Sequence, residues 1–140
     1  MAPGLLPEYT LKESSVLLVE DNPNIRAYLK DLLSPQYSIY EASNGQEGFA
    51  RALELVPDII ISDIMMPVMD GITFCRKLKS DMRISHIPVI LLTARTLVNS
   101  IIEGFETGAD EYLTKPFNER ILIARVNNLL QNRKRSGANK

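Results

Sequence analysis

The 140-residue chain holds one cysteine, one histidine and no tryptophan. A lone thiol, Cys75, closes no internal disulfide, which fits a reducing compartment. With no His or Cys cluster, the usual zinc ligand sets are missing. Charge of either sign is not in excess: 16 Lys+Arg stand against 17 Asp+Glu. Bulk electrostatics therefore give no case for direct nucleic-acid or membrane-surface binding. No apolar run approaches the length of a membrane span. The opening MAPGLLPEYTLKESS lacks the basic-then-apolar profile of a secretory signal. These absences read as a soluble, cytoplasmic chain.

What is present is ordinary for a folded domain: 45% hydrophobic and 24% charged residues, in a chain long enough to bury a core. Apolar runs and helical patterns alternate. Strands are expected at Val16–Glu20, Tyr37–Ala42, Asp58–Ser62, Ile87–Leu92 and Glu111–Thr114. Helical spacing follows each, over 22–34, 43–56, 70–81, 96–108 and 118–131. Asn22, Asp70 and Asn118 are placed to cap three of these helices, and Pro23 suits a first helical position. DIII, apolar throughout, is the kind of strand buried on both faces of a parallel sheet. Strict alternation of strand and helix implies such a sheet with helices on both sides and right-handed crossovers. Residues 1–14 and 133–140 read as tails around one domain over 15–132, and the basic RKR near the end as a solvated helix end. Cys75 falls on a buried helix face, and His86 in a loop before a strand.

In such sheets ligands bind beyond the carboxyl ends of the strands. Those ends carry Glu20 and Asp21, then Ser62 and Asp63, then Thr93, then Lys115 and Pro116. Each alone reads as a turn residue or a cap; together they read as a site. Three carboxylates on one rim repel one another unless a divalent cation sits among them. Carboxylate oxygens with few other ligands suit Mg²⁺. Lys115 supplies a positive charge for a carboxylate or a phosphoryl group, and Thr93 a hydrogen bond. A flavin or nucleotide binder is disfavoured, because EDNPN rather than a glycine-rich loop follows the first strand. A dehalogenase-like phosphatase with an Asp nucleophile would want a second Asp two residues after Asp63, where Met65 stands.

The pieces VLLVEDNPNIR, DIIISDIMMPVMDG, IPVILLTAR and GADEYLTKPF resemble the receiver domains of two-component response regulators, in order and spacing, from about Ser15 to Gln131. ISDIMMPVMDG and TKPF more distantly resemble receivers of hybrid sensor histidine kinases, whose parent protein would be membrane-anchored. The resemblance implies a flavodoxin-like (βα)5 doubly wound α/β fold with strand order 2-1-3-4-5. It implies Asp63 as phospho-acceptor in a Mg²⁺-dependent reaction, with Glu20, Asp21 and the backbone carbonyl of Met65 as further metal ligands. Thr93 and Tyr112 match the switch pair, Lys115 the phosphate-contacting lysine, and the Lys115–Pro116 peptide is expected to be cis. The implied partner is a histidine kinase or a histidine phosphotransfer domain. A homodimer would use the fourth helix, fifth strand and fifth helix, and the fourth helix carries the apolar residues Leu97, Val98, Ile101, Ile102 and Phe105. The acidic pair is Glu-Asp where Asp-Asp is the commoner form. Met65 and Arg95, both bulky, suggest slow self-dephosphorylation. A receiver-like scaffold that is never phosphorylated is the competing expectation.

Overall fold

The computed structural model describes residues 14–94 and 108–138, with side chains to residue 132. Five strands, β1 (Ser15–Val19), β2 (Ser38–Ala42), β3 (Ile59–Asp63), β4 (Val89–Ala94) and β5 (Glu111–Lys115), form one sheet. All four pairings are parallel and the order is β2-β1-β3-β4-β5. The helices among the described residues are α1 (Pro23–Leu33), α2 (Gly45–Leu55), α3 (Gly71–Ser80) and α4 (Glu119–Ala138). Of the helix expected over 96–108, residues 96–107 with its apolar residues lie outside the described residues, as do Arg95 and residues 1–13.

The sheet separates two cores because successive side chains of a strand point to opposite faces. Leu17, Val19, Ile60, Val89 and Leu91 pack on one side with Phe74, Cys75 and Leu78 of α3 and Ala52 of α2. Val16, Leu18, Ile59, Ile61, Ile90 and Leu92 pack on the other with Leu29 and Leu33 of α1 and Leu122, Val126 and Leu130 of α4. β3 is buried along its whole length, Asp63 included. Tyr28, although at helical spacing with the buried residues of α1, is exposed and donates its hydroxyl to Glu119 of α4.

The caps follow the sequence. Asn22 accepts from the amides of Asn24 and Ile25, Asp70 from Thr73, and Asn118 from Arg120 and Ile121. Element ends shift for identifiable reasons. β4 starts at Val89 rather than Ile87, because Pro88 has no amide to donate and Ile87 closes a turn onto the Ile84 carbonyl. α4 continues past Gln131 to Ala138. Asp63 and Lys115 are the last residues of their strands rather than the first of the following loops. Both side chains are therefore aimed by ladder geometry.

The sheet's amino end is closed by polar clasps. Asp58 Oδ2 accepts from the Ser15 amide at 2.8 Å, and Ser15 Oγ accepts from the Asp58 amide at 3.2 Å. Lys79 donates to the carbonyls of Ile87 at 2.8 Å and Ser85 at 3.3 Å, and pairs with Asp110 at 3.3 Å. Asp110 in turn accepts from the Val89 amide at 2.8 Å.

Candidate functional site at the carboxyl end of the sheet

β1 and β3 are neighbours, with Val19 opposite Ser62, so the residues that follow them meet at one rim. Glu20, Asp21 and Asp63 there offer carboxylate oxygens that all lie within 4.8 Å of one another. Glu20 and Asp63 are buried, while Asp21 is exposed. Lys115, delivered by β5 from across β4, places Nζ 2.7 Å from Asp63 Oδ1 and 3.5 Å from Glu20 Oε1. One ammonium thus faces two carboxylates, with the third, Asp21, beside them.

Glu20 is held on several sides. Its amide donates to the Ala42 carbonyl at 3.0 Å, and its Oε2 accepts from the Asn22 amide at 3.1 Å. Arg26, one turn into α1, donates Nη1 to the Glu20 carbonyl at 2.6 Å and pairs through Nε with Glu41 of β2 at 3.3 Å. Burial pushes the Glu20 carboxyl above its ordinary range; the Asn22 amide opposes this, and the Asp63 charge adds to it. Burial alone would lower the Lys115 ammonium, but the hydrogen bond and charge of Asp63, with Glu20, outweigh it and hold Lys115 above its usual value. Glu20 Oε1 is buried and accepts no hydrogen bond, its 3.5 Å approach to Lys115 being an ion pair only. An orphaned buried carboxylate oxygen is costly. Hard oxygen donors, a net excess of negative charge and this orphan fit a small divalent cation such as Mg²⁺. Glu20, Asp21 and Asp63 are the side chains that would hold it.

The remaining expected residues flank this centre in the sequence of the strand ends. Thr93 is buried at the end of β4 and donates its hydroxyl to the Ala94 carbonyl at 3.2 Å. Tyr112 is half-buried against the core that also holds Leu91, its partner in the ladder, so it lies on the Thr93 side of the sheet. Met65, second in the loop after β3, is 66% exposed, and Val68 in the same loop is 74% exposed at φ 69°, a left-handed conformation that a β-branched residue rarely adopts. The Lys115–Pro116 peptide is cis. Sequence reasoning missed Arg26. Its signal is a cation four residues after the Asn22 cap, placed to return over the acidic loop. It also passed over Ser62 as a donor; the hydroxyl is fully buried and bonds the Asp63 carbonyl at 2.8 Å.

Comparison with known proteins gives one answer. Residues 16–127 match the family model for the response regulator receiver domain. The chain is 45% identical over 124 residues to histidine kinase P4 of Formosa agariphila, covering 89% of this chain and 9% of that protein. It is 41% identical to the DNA-binding dual master transcriptional regulator RpaA of Synechocystis over 83% of this chain and 48% of that one. The chain thus spans half the length or less of these relatives. The solved signal receiver domain of a signal transduction histidine kinase from Syntrophus aciditrophicus superposes with a TM-score of 0.78 at 40% identity, over 85% of this chain and 91% of that one. The chemotaxis response regulator CheY4 of Vibrio cholerae gives 0.75 at 32% identity, over 83% and 98%. With fold, strand order and sequence in agreement, the chain belongs to the receiver-domain family of two-component signalling response regulators.

Proposed function

We propose that Asp63 accepts a phosphoryl group from a phosphohistidine on a partner histidine kinase or histidine phosphotransfer domain, with Mg²⁺ held in the acidic pocket. The observation that carries this reading is the convergence of Glu20, Asp21 and Asp63, two of them paired with the Lys115 ammonium. Such a centre is short of positive charge at rest. It is suited to bind a cation and an anion together.

In the reaction an Asp63 carboxylate oxygen attacks phosphorus as the donor N–P bond breaks, and the electron pair returns to a ring whose other nitrogen carries a proton, so that a neutral imidazole leaves. The product is an aspartyl phosphate. A carboxylate is a weak nucleophile, so acceleration rests on positioning and charge neutralisation. Lys115 holds Asp63 in place before transfer and then shares its charge with a phosphoryl oxygen. The metal, when bound, neutralises the acidic pocket and the incoming phosphoryl oxygens. Arg26 keeps the Glu20 backbone from moving away as charge accumulates. Met65 would lend its backbone carbonyl to the metal, and its exposed side chain would shield the acyl phosphate from water.

Phosphorylation adds nearly two negative charges and new acceptor oxygens. Thr93 would leave the Ala94 carbonyl to donate to one of them, and Tyr112 would turn into the space released. This is a two-state packing change that a partner or an attached output domain reads.

Intact-mass spectrometry after incubation with acetyl phosphate, with and without Mg²⁺, tests the reading. One Mg²⁺-dependent phosphoryl adduct is expected, cleaved by hydroxylamine as an acyl phosphate should be and absent from Asp63→Ala. A folded wild-type chain that takes no adduct would assign it instead to the scaffolds that bind partners without phosphorylation.

A further inference from the structure

Ser62 and Gly71 are two residues that the proposed chemistry does not use, and both touch the acceptor's own backbone. Ser62 is the fully buried residue before Asp63, and its hydroxyl donates to the Asp63 carbonyl at 2.8 Å in the interior. β3 alternation places it on the face of Ile60 and Ile64, the side that α3 covers. Gly71, the first residue of α3, presses on the same carbonyl. A Cβ at position 71 would stand 2.2 Å from the Asp63 oxygen, 2.8 Å from Ile64 Cα and 3.0 Å from the Asp63 carbonyl carbon. All three neighbours are backbone atoms, so a side chain there has no flexible group to displace.

The surrounding bonds extend this hold. The Ile64 amide donates to the Leu92 carbonyl of β4 at 3.2 Å, and the Ile64 carbonyl accepts from the Gly71 amide at 2.8 Å. From Asp63 to Met65, the backbone is thus gripped by β4 on one side, α3 on the other and a hydroxyl from within.

We propose that Ser62 and Gly71 form a clamp on the Asp63–Ile64 peptide that sets the angle of the acceptor carboxylate and the position of the loop beyond it. They are positioning residues, acting through Asp63 rather than on the phosphoryl group. This rests on the reading of Asp63 as phospho-acceptor. A hydroxyl fixing a peptide plane and a glycine admitting a helix start at contact distance are two independent constraints on one carbonyl. A rotation of that plane displaces the carboxylate from the line of attack, and displacements near 1 Å cost on the order of a hundredfold in rate.

The test compares wild type, Ser62→Ala, Ser62→Thr, Gly71→Ala and the control Ser80→Ala, which removes the exposed Ser80 hydroxyl that bonds the Arg76 carbonyl in α3. Two quantities are read at a temperature where circular dichroism finds each variant folded: the rate of acetyl-phosphate adduct formation at saturating Mg²⁺, and the Mg²⁺ dissociation constant by calorimetry without phosphodonor. Ser62→Ala is expected to slow adduct formation about fivefold and weaken Mg²⁺ about threefold. Ser62→Thr, which keeps the hydroxyl, should recover most of the rate, and Ser80→Ala should match wild type. Gly71→Ala, if folded, should lose about a hundredfold in rate; if it does not fold, Ser62→Ala decides. Folded Ser62→Ala with both quantities within twofold of wild type overturns the clamp. A wild-type chain with neither adduct nor Mg²⁺ binding would instead overturn the phospho-acceptor reading itself.

Discussion

The two ends of the sheet use the same residue types to opposite effect. At the amino end, Asp58, Lys79 and Asp110 spend their charge on backbone groups, each carboxylate taking an amide and the ammonium taking two carbonyls. Lys79 and Asp110 also pair with each other, so each of these three has its partners within the described residues. At the carboxyl end, Glu20, Asp21 and Asp63 crowd one another around Lys115, and a buried oxygen of Glu20 is left without a donor. An Asp or Lys at a strand end is therefore not informative by type. What separates a clasp from a site is whether its partners are backbone groups of the chain or like charges that only an outside ion can reconcile.

The strongest way to break this comparison is to remove one ammonium from each end. Lys115→Met should slow adduct formation by about two to three orders of magnitude, the usual cost of a lost electrostatic contact at a transferring group. Its melting temperature should stay within a few degrees of wild type. Lys79→Met, which keeps the aliphatic stem, should do the reverse. Losing three charged contacts costs about 2–3 kcal/mol, or roughly 8–10 °C for a domain of this size. The rate per folded molecule should stay within twofold. Equal rate losses in the two variants would erase the distinction between the ends.

A smaller effect sharpens it. Glu20→Gln removes one of the crowded charges, so in metal-free buffer it should raise the melting temperature by about 3 °C, close to 1 kcal/mol. Added Mg²⁺ should then stabilise wild type and do much less for the variant. A metal-free loss of stability would mean that the carboxylate crowding is already relieved within the protein.

An effect of similar size belongs to the amino end, where Tyr37 precedes β2 and donates its hydroxyl to Asn127 of α4. Tyr37→Phe should cost about 1 kcal/mol at neutral pH. Burial raises the Tyr37 phenol above its usual value of 10.0. The unfolded chain then releases this proton first, so stability from Tyr37 is whole below about pH 10 and is lost as pH climbs through the folded value. The gap between wild type and Tyr37→Phe should accordingly close in alkaline melts. A constant gap up to pH 11 would show that the phenol titrates alike in both states.

Much of this architecture is legible in the sequence because it rests on period and punctuation. Continuous DIII demanded a strand covered on both faces, and the caps Asn22, Asp70 and Asn118 are read from residue type and place alone. The four residues that meet at the rim, Glu20, Asp21, Asp63 and Lys115, follow from strand ends once the sheet is known to be parallel. What was not legible depends on distances across the fold. Arg26 reads as an exposed helix cation until its Nη1 is seen on the Glu20 carbonyl. Ser62 reads as one more polar residue at a strand end, and Gly71 as the residue after a cap, until both are found on one carbonyl. Lys79 gave no signal, since two of its acceptors are carbonyls, which no sequence pattern distinguishes, and the third, Asp110, lies 31 residues away. β4 began two residues late because a proline's missing amide matters only where a ladder would have used it.

The division of the interior by the sheet has a consequence for how the molecule can change over generations. Leu78 and Phe74 share no core with Leu29 and Val126, because the sheet stands between them. Defects placed one in each layer should therefore add as independent costs, whereas two in the same layer should couple. A lineage could rework the helices of one face, and with them whatever recognises that face, while the opposite face kept its own packing. β3, whose successive isoleucines are divided between both layers, is the seam where that freedom ends, and it is the strand that carries Asp63.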